Sequence, residues 1–426
     1  MLHTRTALIV TALSVAACTG APPPITELAV DTLADGTVLV SNPPHGLWDA
    51  NPETRWRLVE SLRIGGATEG GPDAFGRATS VAVDTLDRLW IVDSQANEVR
   101  VFDGEGRFVR TIGGPGEGPA EFMGLRSVGR GPDGEMWAAD HRLERYEIFD
   151  TAGTRIGGQR FMTRFGGGWR NGLFLAYDGP EDSDRYVYRV YRRGATGRLG
   201  PDGRVFELPE DPPDPPMIEF KEGGTTLLRP APFSPHRWWT FGPDLNIWWS
   251  DGVEMGGRYE LREIDLETGR TLRRVLRQYE PVPISEDVRV AAIQTDLESV
   301  RHNHNMPGAE RPPPEAMSVV PRVYPPFERF SRSREGTLWV RRMLGDGVFG
   351  FDVFDSEGRY LGQPELPAGL ANIRVQRVDG ERMYVIDTDE MGVIMHLTHG
   401  EYPVNLVPWM IHRVHRTPPP RLRVPS

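Results

Sequence analysis

The stretch DRLWIVDSQANEVRVFD at 87–103 returns as GEMWAADHRLERYEIFD at 134–150. Trp90 and Trp137, Asp93 and Asp140, Phe102 and Phe149, and Asp103 and Asp150 each stand 47 residues apart. Two further pairs, Phe75 with Phe122 and Ser80 with Ser127, keep the same spacing. A period in this range, built from short strands, is the mark of a propeller blade: one small sheet that must stack on its neighbours to bury its faces. SVAVD (80–84), LWIVD (89–93), VRVFD (99–103) and FVRTI (108–112) predict the four strands of such a blade. In the third, Val99 and Val101 alternate with Arg100 and Phe102, as side chains on a pleated strand must. Gly104 and Gly106 suit the tight turn into the outer strand, where positive φ is needed.

Weaker copies follow. GLFLAYD (172–178) with YVYRVY (186–191) suggests a third blade. NIWWSD (246–251), YELREID (259–265) and ETGRTLRRVL (267–276) suggest a fourth. GTLWVRR (336–342), FGFDVFD (349–355) and SEGRYLG (356–362) make a fifth, and IRVQRV (373–378), RMYVID (382–387) and GVIMHL (392–397) a sixth. The expected fold is therefore an all-β, six-bladed β-propeller, with seven blades as the alternative. SLRIGGATEGGPDAF (61–75) resembles TIGGPGEGPAEF (111–122), the exit from the outer strand of blade one. WRLVESLRI (56–64) is thus expected to be an outer strand that completes the last blade and removes a free sheet edge, with EYPVNLV (401–407) as its competitor. TVLVSN (37–42) has no place in this scheme.

One segment breaks the β pattern. Ser285 precedes Glu286 and Asp287, and Val290, Ile293, Leu297 and Val300 share one helical face, which predicts an amphipathic helix over 285–301. It belongs to an insertion, 285–316, between blades four and five, whose remainder is read as loop. DPPDPP (211–216) reads as an exposed proline loop.

The chain of 426 residues carries a net charge of −11, which disfavours nucleic acid as a partner. Its 48 glycines and 38 prolines suit many short strands joined by turns. Its single cysteine, Cys18, follows a basic start at Arg5, a short apolar run over 7–15, and Val15-Ala16-Ala17. That is an export signal too short to span a bilayer. The Val-Ala-Ala-Cys ending resembles the lipobox of bacterial lipoproteins, which implies a lipidated Cys18. Thr19, rather than Asp, after it resembles the pattern sorted to the outer membrane. The alternative is a plain signal peptide with an incidental cysteine. The expected organisation is a signal peptide (1–17), a lipidated tether (18–35), the propeller (36–407) and a basic, proline-rich tail (408–426).

The run from SVAVD through LWIVDS and NEVRVFD to EGRFVRTIGGPGEGPAEF resembles NHL-type six-bladed propellers, and in particular bacterial propeller lipoproteins. The resemblance is strong over about 61–156 and fades to a general propeller grammar by about 406. It implies the fold and little about activity, since lactonases, lyases and binding platforms all use this architecture.

Chemistry is sought where the blades converge. Asp93, Asp140, Asp178, Asp251 and Asp387 all end the second strand of their blades, and Arg341 takes that place in blade five. These ends face one surface around the central channel, with His141 beside Asp140. Five carboxylates there can focus a negative potential on a cation or an amine. The competing expectation is that each Asp caps its own turn. His302 and His304 have a spacing that can bind a metal but sit without an identifiable third ligand. GGPGEGP (113–119) is followed by a strand, not a helix, and reads as an inter-blade turn rather than a phosphate cradle. His412 and His415 fall among Arg413, Arg416, Arg421 and Arg423 in the expected tail. Two functions fit. The first is a lipid-anchored propeller of the cell envelope that binds or scaffolds a protein, peptide or glycan. The second is a metal-dependent hydrolase or lyase, lactonase-like, with Ca²⁺ or Zn²⁺ at the channel mouth.

Overall fold

A computed structural model describes residues 23–65, 71–163, 167–170, 172–178, 187–194, 197–207, 215–241, 245–304, 306–333, 335–367, 373–379, 382–387 and 409–415. Six sheets follow one another around a ring. Blade one comprises Ala78–Val83, Leu89–Asp93, Glu98–Phe102 and Phe108–Gly113; blade two comprises Leu125–Arg130, Met136–Asp140, Arg145–Phe149 and Arg155–Arg160. Blade three runs from Gly167–Arg170 to Leu199–Glu207, blade four from Trp238–Phe241 to Thr271–Gln278, and blade five from Arg329–Arg332 to Tyr360–Gly362. Within these five blades the strands are antiparallel neighbours in chain order, whereas blade six comprises Ile373–Asp379, Arg382–Asp387, Trp409–His415 and, outermost, Arg57–Ile64. We call the face that bears the turns between second and third strands the upper face.

Each blade buries its flanks on the next. Trp90, Val99 and Val101 of blade one pack with Phe122, Leu125, Met136 and Phe149 of blade two. Trp137, Ala139 and Tyr146 then pack with Phe174 and Tyr191 of blade three. The chain of cores continues around the ring and closes where Tyr384 and Ile386 of blade six meet Val81 and Ile91 of blade one. Trp90 and Trp137 occupy equivalent buried places, each donating its indole N–H to a carboxylate at the lower turn, Asp84 and Glu135, both at 2.9 Å.

The repeated turns have a local cause. Gly113 has φ +89°, and a Cβ there would lie 2.5 Å from the Phe122 ring, so only glycine lets Phe122 seal the junction between blades one and two. GGPGEGP is indeed an inter-blade turn, held by Phe122 N–H donating to the Gly114 carbonyl at 2.8 Å. Asp103 and Asp355 directly follow the third strands of their blades and Asp265 ends one, and all three accept backbone N–H groups from the turn that follows.

The N-terminal region is a belt. β1 (Ala29–Thr32) and β2 (Val38–Asn42) extend blade four beyond its outer strand, β2 running parallel to it with Val40 opposite Val275. This gives TVLVSN its place, and it corrects the tether assigned to 18–35, because 29–32 are strand. Asn42, fully buried, then stitches two blades. Its amide donates to the carbonyls of Leu276 (3.1 Å) and Gly358 (3.0 Å), and its oxygen accepts from Tyr360 N–H. β3 (Arg57–Ile64) is the expected closing strand. It pairs antiparallel with Trp409–His415, completing the sheet of Ile373–Asp379 and Arg382–Asp387. Trp409–His415 therefore belongs to blade six and not to a C-terminal tail beginning at 408; it carries His412 and His415. GVIMHL (392–397) and EYPVNLV (401–407) lie outside the described residues.

α1 (Glu286–Asn303) forms where the sequence predicts a helix, with Ser285 Oγ accepting from Val288 N–H at 3.4 Å. It runs two residues beyond the expected end, so His302 is helical rather than in a loop. Its buried face, Ile293, Leu297 and Val300, packs on a hairpin that the sequence did not signal, Met217–Glu222 with Thr225–Pro230. This satellite has its own small core, separate from the six between blades.

Candidate channel-mouth binding site

The innermost strands of all six blades line a central channel of about 540 Å³, to which Ser80, Ser127, Gly167, Thr240, Ser331 and Val378 contribute one per blade. Small and hydroxylated side chains line much of its wall where six strands converge on one axis, and Arg130, Arg332, Trp169 and Phe241 add larger groups. Arg130 and Arg332 stand at matching register positions in blades two and five, opposite Met136 and Leu338, and both line the channel. Arg332 lies 3.6 Å from Glu263 and covers the Trp248 ring at 5.6 Å.

The aspartates at the ends of the second strands do share the upper face, but they do not converge. Asp93 is fully buried and accepts N–H groups from Gly76, Arg77, Gln95 and Ala96 at 2.8–3.3 Å. Asp140, equally buried, accepts from Met123, Gly124, Arg142 and Leu143 at 2.7–3.2 Å. The two donor sets are themselves 47 residues apart. Each carboxylate thus ties the entry to its blade's first strand to the turn after its second, as turn capping requires. Asp93 also meets Arg100 at 3.2 Å. Asp178 pairs with Arg189 at 2.7 Å, and Asp251 accepts from Val253 N–H at 2.9 Å. The Asp387 backbone ends a strand of blade six, and its side chain lies outside the described residues.

Arg341 is buried opposite Arg329, pairs with Glu328 and covers the Phe349 ring at 4.5 Å. Burial pushes its guanidinium down to about 10, which leaves it cationic at neutral pH. Among the described residues no three His, Cys, Asp or Glu side chains come together as a metal set. His302 and His304 have separate partners, the Glu298 carbonyl at 2.8 Å and Arg229 at 3.1 Å. Cys18 lies outside the described residues.

His141 is the member of the predicted set that faces open space. It lines a recess of about 270 Å³ between blades two, three and four, with Tyr146, Tyr177, Tyr188 and Phe241. The recess shares Ser127, Tyr146, Gly167 and Phe241 with the channel wall, so it is the upper mouth widened to one side. Burial, reinforced by Arg126, holds the His141 imidazole below its ordinary value against the pull of Asp140, so it is neutral at neutral pH. The aromatic wall is closely packed. Tyr177 lies 5.2 Å from Tyr188, which lies 4.9 Å from Phe241, and Trp239 donates to the Tyr188 hydroxyl at 2.9 Å. The Tyr146 hydroxyl is bonded to the Gly167 backbone. Such a pocket offers ring faces with polar edges and no net charge of its own.

The tyrosines were not found from the sequence. YVYRVY shows alternation, which locates Tyr188 on a strand, but not which blade faces it. That depends on innermost strands as short as Gly167–Arg170 and Trp238–Phe241.

A protein family described as a 6-bladed beta-propeller matches residues 75–128. No protein of curated function matches the chain. Among solved structures, a protein of Bacteroides fragilis described as exported is similar at 14% identity over 89% of this chain and 100% of its own, with a TM-score of 0.49. A gluconolactonase of Xanthomonas campestris is similar at 15% identity over 85% of this chain and 95% of its own, with a TM-score of 0.33. A virginiamycin B lyase of Staphylococcus aureus is similar at 12% identity over 82% and 98%, with a TM-score of 0.35. The family match over 75–128 and the ring of sheets closed by β3 together identify the fold as a six-bladed β-propeller.

Proposed function

We propose that this chain is a lipid-anchored propeller of the bacterial cell envelope that binds a protein, peptide or glycan partner at its upper channel mouth. The observation that supports binding is the recess of His141, Tyr177, Tyr188 and Phe241, which opens from the channel and presents aromatic faces beside hydroxyl and imidazole groups. Sugar rings and proline or aromatic side chains stack on such faces, while the polar edges select orientation. The lone pairs of Asp93 and Asp140 are already directed at backbone donors, which turns the site toward neutral ligands and away from a cation ring. The anchor reading is supported by the leader ending in Val15-Ala16-Ala17-Cys18. Among the described residues no helix is long and apolar enough to cross a membrane.

The test is a tryptophan-fluorescence titration with a panel of envelope oligosaccharides and short peptides, since Trp239 lies 5.9 Å from Tyr177. A saturable change with one ligand class, lost in Tyr177→Ala and His141→Ala while thermal stability holds, is expected. Binding that survives both substitutions would refute the site. Stoichiometric Ca²⁺ or Zn²⁺ lost in Asp93→Ala and Asp140→Ala would favour the metal-dependent hydrolase or lyase instead.

A further inference from the structure

The start of the belt lies against one end of blade four, and that limits how far Cys18 can stand from it. Pro23 is the first described residue, and its carbonyl accepts from Arg258 Nη2. Ile25 N–H donates to Gln278 Oε1 at 3.2 Å. Arg258 begins the third strand of blade four and Gln278 ends the fourth, so both lie at the blade's upper end. Ala29 continues there, opposite Ser41. Cys18 precedes Pro23 by five residues, which span at most about 18 Å when fully extended. A chain of 426 residues folded compactly has a radius of gyration of roughly 22 Å. The leash is therefore shorter than the molecule is wide.

From this we infer that the upper rim of blade four is held against the bilayer surface, with the lower turns of every blade directed away from it. The inference rests on lipidation of Cys18. Leu28 and Met255 stand at this end of the blade and are each 36% exposed, apolar groups suited to the headgroup boundary. The satellite leaves from the same face. α1 follows the upper end of Gln278, and its N-cap residue Ser285 bonds through N–H to Asp346 in the upper turn of blade five. The channel's upper mouth consequently opens toward the membrane, and its partner is met in the gap between propeller and lipid.

The full lipidated chain in vesicles containing headgroup-nitroxide lipid provides the test. A fluorophore is placed through Met255→Cys at the upper rim, or through Glu267→Cys in the lower turn of the same blade. Several-fold stronger quenching of the upper label is expected, and insertion of a long Gly/Ser spacer between Gly20 and Ala21 should abolish the difference. Equal quenching of the two labels on a membrane-bound protein, or an upper preference that survives the spacer, overturns the leash-set orientation. Failure of the unaltered chain to associate with vesicles overturns the anchor itself, and both fall together.

Discussion

At the scale of single residues, the recurrence of Asp has two structural causes. Asp93 and Asp140 each gather four backbone N–H groups, while Asp103 and its counterparts cap the turn before the outer strand. An amide at Asp93 would set an NH₂ group against those donors, and an unmet buried donor costs about 1–3 kcal/mol. Asp93→Asn should therefore lower thermal stability without weakening ligand capture; the reverse pattern, weaker capture at unchanged melting temperature, would restore the ligand reading. Asp352 was invisible in the sequence because its partners come from two blades. It is fully buried between Tyr259 and Tyr360 hydroxyls, Gln363, Arg342 at 3.2 Å and Arg277 at 3.7 Å. Burial raises its pKa, but Arg342, Arg277 and the hydrogen bonds outweigh this and hold it below the ordinary carboxylate value. A depressed folded pKa gives stability that is present above the unfolded value, about 4, and lost as pH falls through the folded one. Acid unfolding followed by circular dichroism should show that loss, and Asp352→Ala should remove it while costing about 3–5 kcal/mol at neutral pH, since two guanidiniums lose their counter-ion. A variant whose stability at pH 7 matches that of the parent chain would contradict this account.

At the scale of elements, strands with alternating or continuous apolar residues were legible, and so was α1, whose cap and spacing are local. Several were not, the belt strand Ala29–Thr32 among them, and two show why. The hairpin over 217–230 carries a plain pattern (MIEFKE, TTLLRP) and acquires its meaning only from the helix it packs on. Trp409–His415 was masked by surrounding arginines and prolines that read as a tail, because an outer-strand neighbour in β3 lies far away in sequence. The satellite joins Ile218, Phe220, Ile293, Leu297 and Val300 in a core distinct from those between blades. Small separate cores open locally at less than the global cost. Leu297→Ala should thus destabilise the satellite by about 2–5 kcal/mol, read as faster amide exchange over 217–230 and 286–303, with the blade amides unchanged. Uniform acceleration across the blades would mean that satellite and ring unfold as one.

At the scale of the whole molecule, closure is the decisive act, since a six-member ring with one incomplete blade keeps an open strand edge and an unsealed core. β3 supplies both remedies. It pairs along Trp409–His415, and it buries Leu58 and Ile64 against blades five and six and the start of blade one. Each of those side chains contributes about 1.5–3 kcal/mol, before counting the backbone bonds. The antiparallel register brings Arg57 opposite His415, so a short turn can join the two strands directly. Two chains that both begin at Gly71 therefore isolate the effect of closure, because both lack the belt. One ends at His415; the other carries Arg57–Ile64 after His415 through a glycine-containing turn. The first should melt earlier and associate at raised concentration through its exposed edge, and the second should regain a monomeric, cooperative transition. Equal melting temperatures with both chains monomeric would show that blade six does not need its borrowed strand, and that the ring is held by its inter-blade cores alone.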